Sequence, residues 1–152
     1  NVDLVTSHGI FTETEFRARH SIYLEAYNKI VNIEGRTMVD MAVHQILPAA
    51  MQYSDNLCLA VSRKQSMNMP CKAESHLMQL LSENTDALYE DIDRLKEALA
   101  TVPRDPEPAS FHYRNKVIPA MKELRSAVDG MEVLTSGKFW PVPTYGDMMF
   151  RV

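Results

Sequence analysis

The chain has 152 residues, of which 45% are apolar and 24% charged, with a net charge of −4 and a sequence pI near 5.7. That is one domain's worth of chain with enough apolar material for a core, and it offers no basic face of the kind that neutralises nucleic-acid phosphates. The longest uninterrupted apolar run, Leu57 to Val61, is far short of the roughly 20 residues a bilayer-spanning helix needs.

The periodicity is helical almost throughout. Residues 1–11 read as a linker, with no basic segment leading into an apolar one as a signal peptide requires. The start at Asn1 without a methionine suggests a piece of a longer chain. Thr12-Glu13-Thr14-Glu15 has the capping-box pattern, in which Thr and Glu satisfy each other's unpaired amides. Behind it Phe16, His20, Tyr23, Tyr27 and Ile30 recur in steps of four and three, and the stripe resumes at Thr37, Met38 and Met41. This predicts a helix from Thr12 to Leu47, about 54 Å long. Pro48 cannot donate its amide and its ring crowds the preceding turn, so a kink or break is expected there before helix resumes to about Lys64.

Ser66 to Pro70 reads as a turn. The next stripe is Leu77, Leu81, Asn84, Leu88, Ile92, Leu95 and Leu99, which predicts a helix over 71–100. Its outer face carries Glu83, Asp86, Glu90, Asp93 and Glu97, a solvated face, with Glu90 and Arg94 at pairing distance. Three prolines between Thr101 and Pro108 break the chain. A third helix over 107–135 follows, striped by Val117, Met121, Leu124, Val128 and Met131, with Gly137 as a stop. The remainder, 138–152, has two prolines and a glycine among aromatics, and is expected as an extended tail packed through Trp140. Ile46-Leu47-Pro48-Ala49-Ala50-Met51 resembles Val117-Ile118-Pro119-Ala120-Met121, each placing small residues after a mid-helix proline where another helix could cross. The fold class expected is therefore all-α: an antiparallel bundle of three to four long helices over 12–137, the first kinked at Pro48, with an extended aromatic tail.

Residues that carry chemistry do not gather in the sequence. The five glycines lie far apart, so there is no phosphate loop. None of His8, His20, His44, His76 or His112 has the Glu three residues before it that a di-iron bundle uses. Cys58 and Cys71 read as reduced thiols of a cytosolic protein. Glu34 falls on the first apolar stripe and is either a buried polar anchor or a point where the stripe reaches solvent. Ten methionines, Met38, Met41, Met121 and Met131 among them, read as gap-fillers of a core. No catalytic, cofactor-binding or metal-ligating residue is assigned.

The runs His8-Gly9-Ile10-Phe11-Thr12-Glu13, Leu24-Glu25-Ala26-Tyr27, Asn32-Ile33-Glu34 and Ile46-Leu47-Pro48-Ala49-Ala50 resemble the C-terminal region of type III glutamine synthetases. So do Tyr113-Arg114, Val117-Ile118-Pro119-Ala120-Met121 and, most specifically, Trp140-Pro141-Val142-Pro143-Thr144-Tyr145-Gly146-Asp147. One departure is Gly35, where the family pattern leads us to expect alanine; glycine there weakens a helix by roughly 1 kcal/mol. The resemblance implies a parent that is a cytoplasmic ATP-dependent ligase joining ammonia to glutamate with Mg or Mn, assembled as a dodecamer. ATP, metal and glutamate would bind in a preceding catalytic region. This chain would then be a non-catalytic structural domain whose partners are that region and neighbouring subunits. The alternatives are a stand-alone helical adaptor or signalling bundle, and an enzyme with a Cys or His site assembled only in three dimensions.

Overall fold

The computed structural model describes residues 2–143 and 145–150, and among these the regular structure is entirely helical. A short helix, α1 (Val2–Ser7), occupies the segment expected as a linker. Gly9, at φ +64°, takes the left-handed conformation that reverses the chain after it, one glycine readily adopts. The helix α2 (Glu13–Met41) opens on the expected capping box: the Thr12 hydroxyl accepts from the Glu15 amide, and the Glu15 carboxylate accepts from the Thr12 amide at 2.9 Å. These bonds, the backbone amide of Thr12 first, hold the Glu15 carboxyl below the usual glutamate range.

At Pro48, where a kink or break is expected, the chain does not break. The helix continues through a π-helical turn (Ala42–Ile46) directly into α3 (Leu47–Ser66). The amide of Leu47 bonds the carbonyl of Ala42, five residues back, widening the turn just before the proline ring has to be accommodated. The related sequence at Pro119 does the same. There α5 (Pro106–His112) passes through a π turn (Tyr113–Val117) into α6 (Ile118–Leu134), and the amide of Ile118 bonds the carbonyl of Tyr113. Both wide turns face inward, with Ala42, Ile46 and Ala50 in the core at one and Tyr113 and Val117 at the other. The sequence similarity is thus a similarity of backbone geometry.

Between the two rods lies α4 (Lys72–Ala100), entered through a turn in which Asn68 adopts φ +54° and Lys64 pairs with Glu74. Its expected stripe is its buried face. Leu81, Leu88, Ile92 and Leu95 are fully buried, and α4 packs most extensively on α6 and then on α3. The five carboxylates of its outer face are exposed as expected. Arg94, however, does not pair with Glu90. It bonds Asp91 at 2.6 Å and reaches across to Glu123 of α6 at 3.0 Å, tying two helices together.

The first helix keeps only part of the expected stripe inward: Met38 packs on the bundle, while most of its contacts come from another side. Tyr23, Ile30 and Met41 of the anticipated stripe are exposed, and the residues turned to the bundle are Leu24, Asn28, Val31, Gly35, Met38 and Ala42. Glu34 is exposed, so the solvent reading holds for it. Gly35 is buried, and a Cβ there would lie 3.2 Å from Cδ2 of Leu99 and 3.6 Å from Cγ1 of Val117. The missing side chain is what lets α2 approach α4 and the second π turn so closely. Asn28 donates to the carbonyl of Pro106 at 2.8 Å and so fastens the start of α5 to α2.

After α6 the chain folds back. Ser136 accepts from the amides of Phe139 and Trp140, the Phe139 ring meets Tyr53 at 5.3 Å, and Trp140 is only 7% exposed. The tail is non-helical only as far as Pro143. Residues Tyr145–Phe150 form a six-residue helix, α7, on which Met149 and Phe150 are exposed, while Met148, also largely exposed, borders a cavity against the bundle. Thr144, Arg151 and Val152 of the expected extended tail lie outside the described residues.

Three outcomes follow from this packing. Gly35→Ala should change stability by less than about 1 kcal/mol, the gain in helix propensity being offset by the displacement of Leu99. Gly35→Val should cost about 1–3 kcal/mol, because a branched side chain also meets Val117; urea denaturation of both variants measures this. The single Trp should emit to the blue of free indole in water and resist iodide, and an iodide-accessible emission would show Trp140 solvated. Glu15 and Glu74 are both lowered, Glu74 chiefly through its hydrogen bond with Lys64. Their contribution is therefore complete above the ordinary glutamate value and is lost as pH falls through the lowered folded values. Thr12→Ala should move the Glu15 titration, followed by NMR, back up toward the ordinary value.

Candidate functional site

Two surfaces of this bundle are unlike ordinary solvated helix faces. The first is a cavity of about 340 Å³ beneath the returning tail. Its walls come from the first wide turn (Ala42 and Ile46), from Leu124 and Val128 of α6, and from Trp140 and Val142 of the tail. The lining is mostly apolar, and Arg125, Asp129 and Glu132 stand among it. The indole N–H of Trp140 and the hydroxyl of Thr135 are buried without a partner among the described residues.

The second is the outer side of α2. A helix winding at 3.6 residues per turn that uses Leu24, Val31, Gly35 and Met38 inward places Ile22, Tyr23, Ala26, Ile30 and Ile33 on the other side. Tyr23 is 72% exposed and Ile30 57% exposed. The helix is therefore apolar on two sides, of which the bundle covers one. Arg19, at the start of this outer side, stacks its guanidinium over the Phe11 ring at 4.9 Å and also acts on the Glu15 carboxylate one turn back.

The residue types singled out for chemistry are dispersed. His8, His20, His44 and His76 are exposed, and the half-buried His112 bonds the carbonyl of Ala98 at 2.8 Å. Cys58 is exposed and Cys71 half-buried, both as free thiols. Among the described residues no group of three or more His, Cys, Asp or Glu side chains comes together as a metal would require. Burial pushes the Tyr113 hydroxyl above its usual value, against a smaller opposing effect of Arg36. Among the described residues no helix is long and apolar enough to cross a membrane. Tyr23 and Ile30 of this outer face belong to the stripe that periodicity assigns to the core, whereas in the structure they are exposed.

Residues 1–65, which span α1, α2, the first π turn and nearly all of α3, match the model of the glutamine synthetase C-terminal domain family. The chain is 31% identical to a glutamine synthetase of Butyrivibrio fibrisolvens, an alignment covering 100% of this chain and 22% of the relative. It is 28% identical to a type-3 glutamine synthetase of Dictyostelium discoideum, over 99% of this chain and 22% of the relative. With a glutamine synthetase of Bacteroides fragilis (strain YCH46) it shares 27% identity over 93% of this chain and 20% of the relative. The chain thus spans about a fifth of the length of the curated relatives it matches. With the helical architecture expected from periodicity in place, the chain is similar to the glutamine synthetase C-terminal domain over residues 1–65 and to glutamine synthetases along its whole length.

Proposed function

We propose that residues 1–152 form a single helical domain serving as the non-catalytic, structural C-terminal domain of a type III glutamine synthetase. The parent is then a cytoplasmic ligase that makes glutamine from glutamate, ammonia and ATP with Mg or Mn, and this domain shapes the subunit or its contacts within the oligomer. Its partners are the catalytic region of the same chain and neighbouring subunits of a dodecamer. The observation that carries the reading is similarity to glutamine synthetases over all of this chain but only 22% of the first relative's length. The outer side of α2 supports it, because an apolar face directed away from a packed bundle suits a module that has something further to pack against. The stand-alone adaptor reading draws on the same exposed face and lacks the support of the relatives.

The test compares the parent synthetase with a version lacking this region. Mass photometry should show that the deletion lowers the number of subunits assembled, beyond the mass removed from each, while ATP titration of the remaining chain still detects binding. The 152-residue chain alone should show no calorimetric binding of ATP or Mg at about micromolar affinity. Such binding by the isolated chain would overturn the non-catalytic reading.

A further inference from the structure

We propose that the hollow between α2 and the loop 101–105 holds a small tetrahedral oxyanion of the phosphate kind, bound by Lys29, Arg104 and the hydroxyl of Tyr113. The hollow measures about 220 Å³. Lys29 stands on its α2 wall and Arg104 on its loop wall, and the buried Tyr113 and Ala109 are at its base. Asn28 fastens the two walls through its bond to the carbonyl of Pro106 at 2.8 Å. Tyr113 also opens the second wide turn, and π turns recur at functional sites.

Tyr113 is only 6% exposed, yet its hydroxyl bonds no other described residue. That hydroxyl is not enclosed, whereas the spare amide oxygen of Asn28 is sealed off and out of a ligand's reach. A buried phenol ordinarily has a partner for its hydroxyl, so this one is a donor without its acceptor. Burial keeps it in the protonated, donating form. The surrounding charges say which acceptor fits. Lys29 and Arg104 are exposed, and neither pairs with a carboxylate among the described residues. Arg36 is held beside the hollow by its 3.2 Å bond to Asn32, and its charge acts on the Tyr113 hydroxyl. Against these three cations, Glu25 is the one carboxylate among the described lining residues. Asp105 and Glu107 line a separate hollow with Arg17 and His20. Donors converging from a helix, a loop and the base suit a tetrahedral oxyanion better than a flat carboxylate. At about 30 Å³ per water the space equals about seven waters. That accommodates phosphate with part of its hydration and is too small to enclose a nucleotide.

This inference goes beyond the assembly role and does not rest on it, since the 152-residue chain alone carries the site. Inorganic phosphate is titrated into that chain at constant ionic strength and followed by amide NMR. Saturable shifts at Lys29, Arg104 and Tyr113 with a Kd of about 1 mM are expected. Lys29→Gln, Arg104→Gln and Tyr113→Phe should each raise that Kd by about fivefold or more, with unchanged helicity by circular dichroism. Lys72→Gln, at the opposite end of α4 from the loop, should leave it unchanged. A nucleoside diphosphate should bind no more tightly than phosphate, and a tighter grip on it would overturn the assignment to a free oxyanion. Shifts that stay linear to about 50 mM phosphate, or that chloride reproduces, would overturn the site and leave the Tyr113 hydroxyl to water. Full affinity in Tyr113→Phe would overturn the part given to that hydroxyl.

Discussion

The helix α4 has to keep Leu81, Leu88, Ile92 and Leu95 out of water on one side while five carboxylates remain hydrated on another, and the other two rods lie where that requirement puts them. One buried Leu or Ile side chain is worth about 1.5–3 kcal/mol, so four of them outweigh any surface interaction in the molecule. The helix α6 covers the stripe from one side and α3 from another, while α2 reaches it only near Gly35, where the absence of a side chain allows the approach. The Arg94 bridge to Asp91 and Glu123 and the Asn28 bond to Pro106 then fix how the rods sit, rather than hold them together. Of these, the pair of Arg94 with the exposed Glu123 contributes about 0–1 kcal/mol.

How much of this was legible depended on how many sides of a helix are apolar. On α4 one side is apolar and the opposite side acidic, and the stripe read from spacing is the stripe that is buried. On α2 the spacing supports two apolar sides, and periodicity has no means of choosing between them. The bulkier side, with Tyr23 and Ile30, was chosen, whereas the bundle takes the side with Asn28 and Gly35. In this packing a helix that must come close to its neighbours is marked by a small residue rather than a large one. Glu90 and Arg94 stand at the right separation along one helix, but a carboxylate on α6 is within reach and the arginine turns to it. The capping box needed only four consecutive residues and was read correctly. The helix α7 is six residues long, too short for any period to show.

The candidate surfaces divide the same way. Of the aromatic tail, the burial of Trp140 was legible, because a large apolar ring followed by two prolines has little reason to stand in water, and its indole is enclosed. The apolar cavity beside it was not legible, since its walls come from three separate stretches of chain. The outer face of α2 was legible as an apolar stripe through Tyr23 and Ile30, but spacing alone does not show that the bundle leaves it uncovered.

The wide turns before Pro48 and Pro119 carry a consequence for how this sequence tolerates insertion and deletion. A bond spanning five residues instead of four amounts to one extra residue wound into an otherwise regular helix, which rotates everything beyond it by about 100°. Proline and extra residue are therefore a linked pair. Loss of a residue within Ala42–Ile46 would tighten the turn and press the ring of Pro48 against the carbonyl behind it, and would also swing Ala49 and Ala50 out of the positions they now occupy. Loss of the proline alone would leave the helix free to rewind into a register in which those alanines face elsewhere. A chain that changes one member of the pair is under mechanical pressure to change the other, so length at these two points is set by the proline rather than by the reach of the helix.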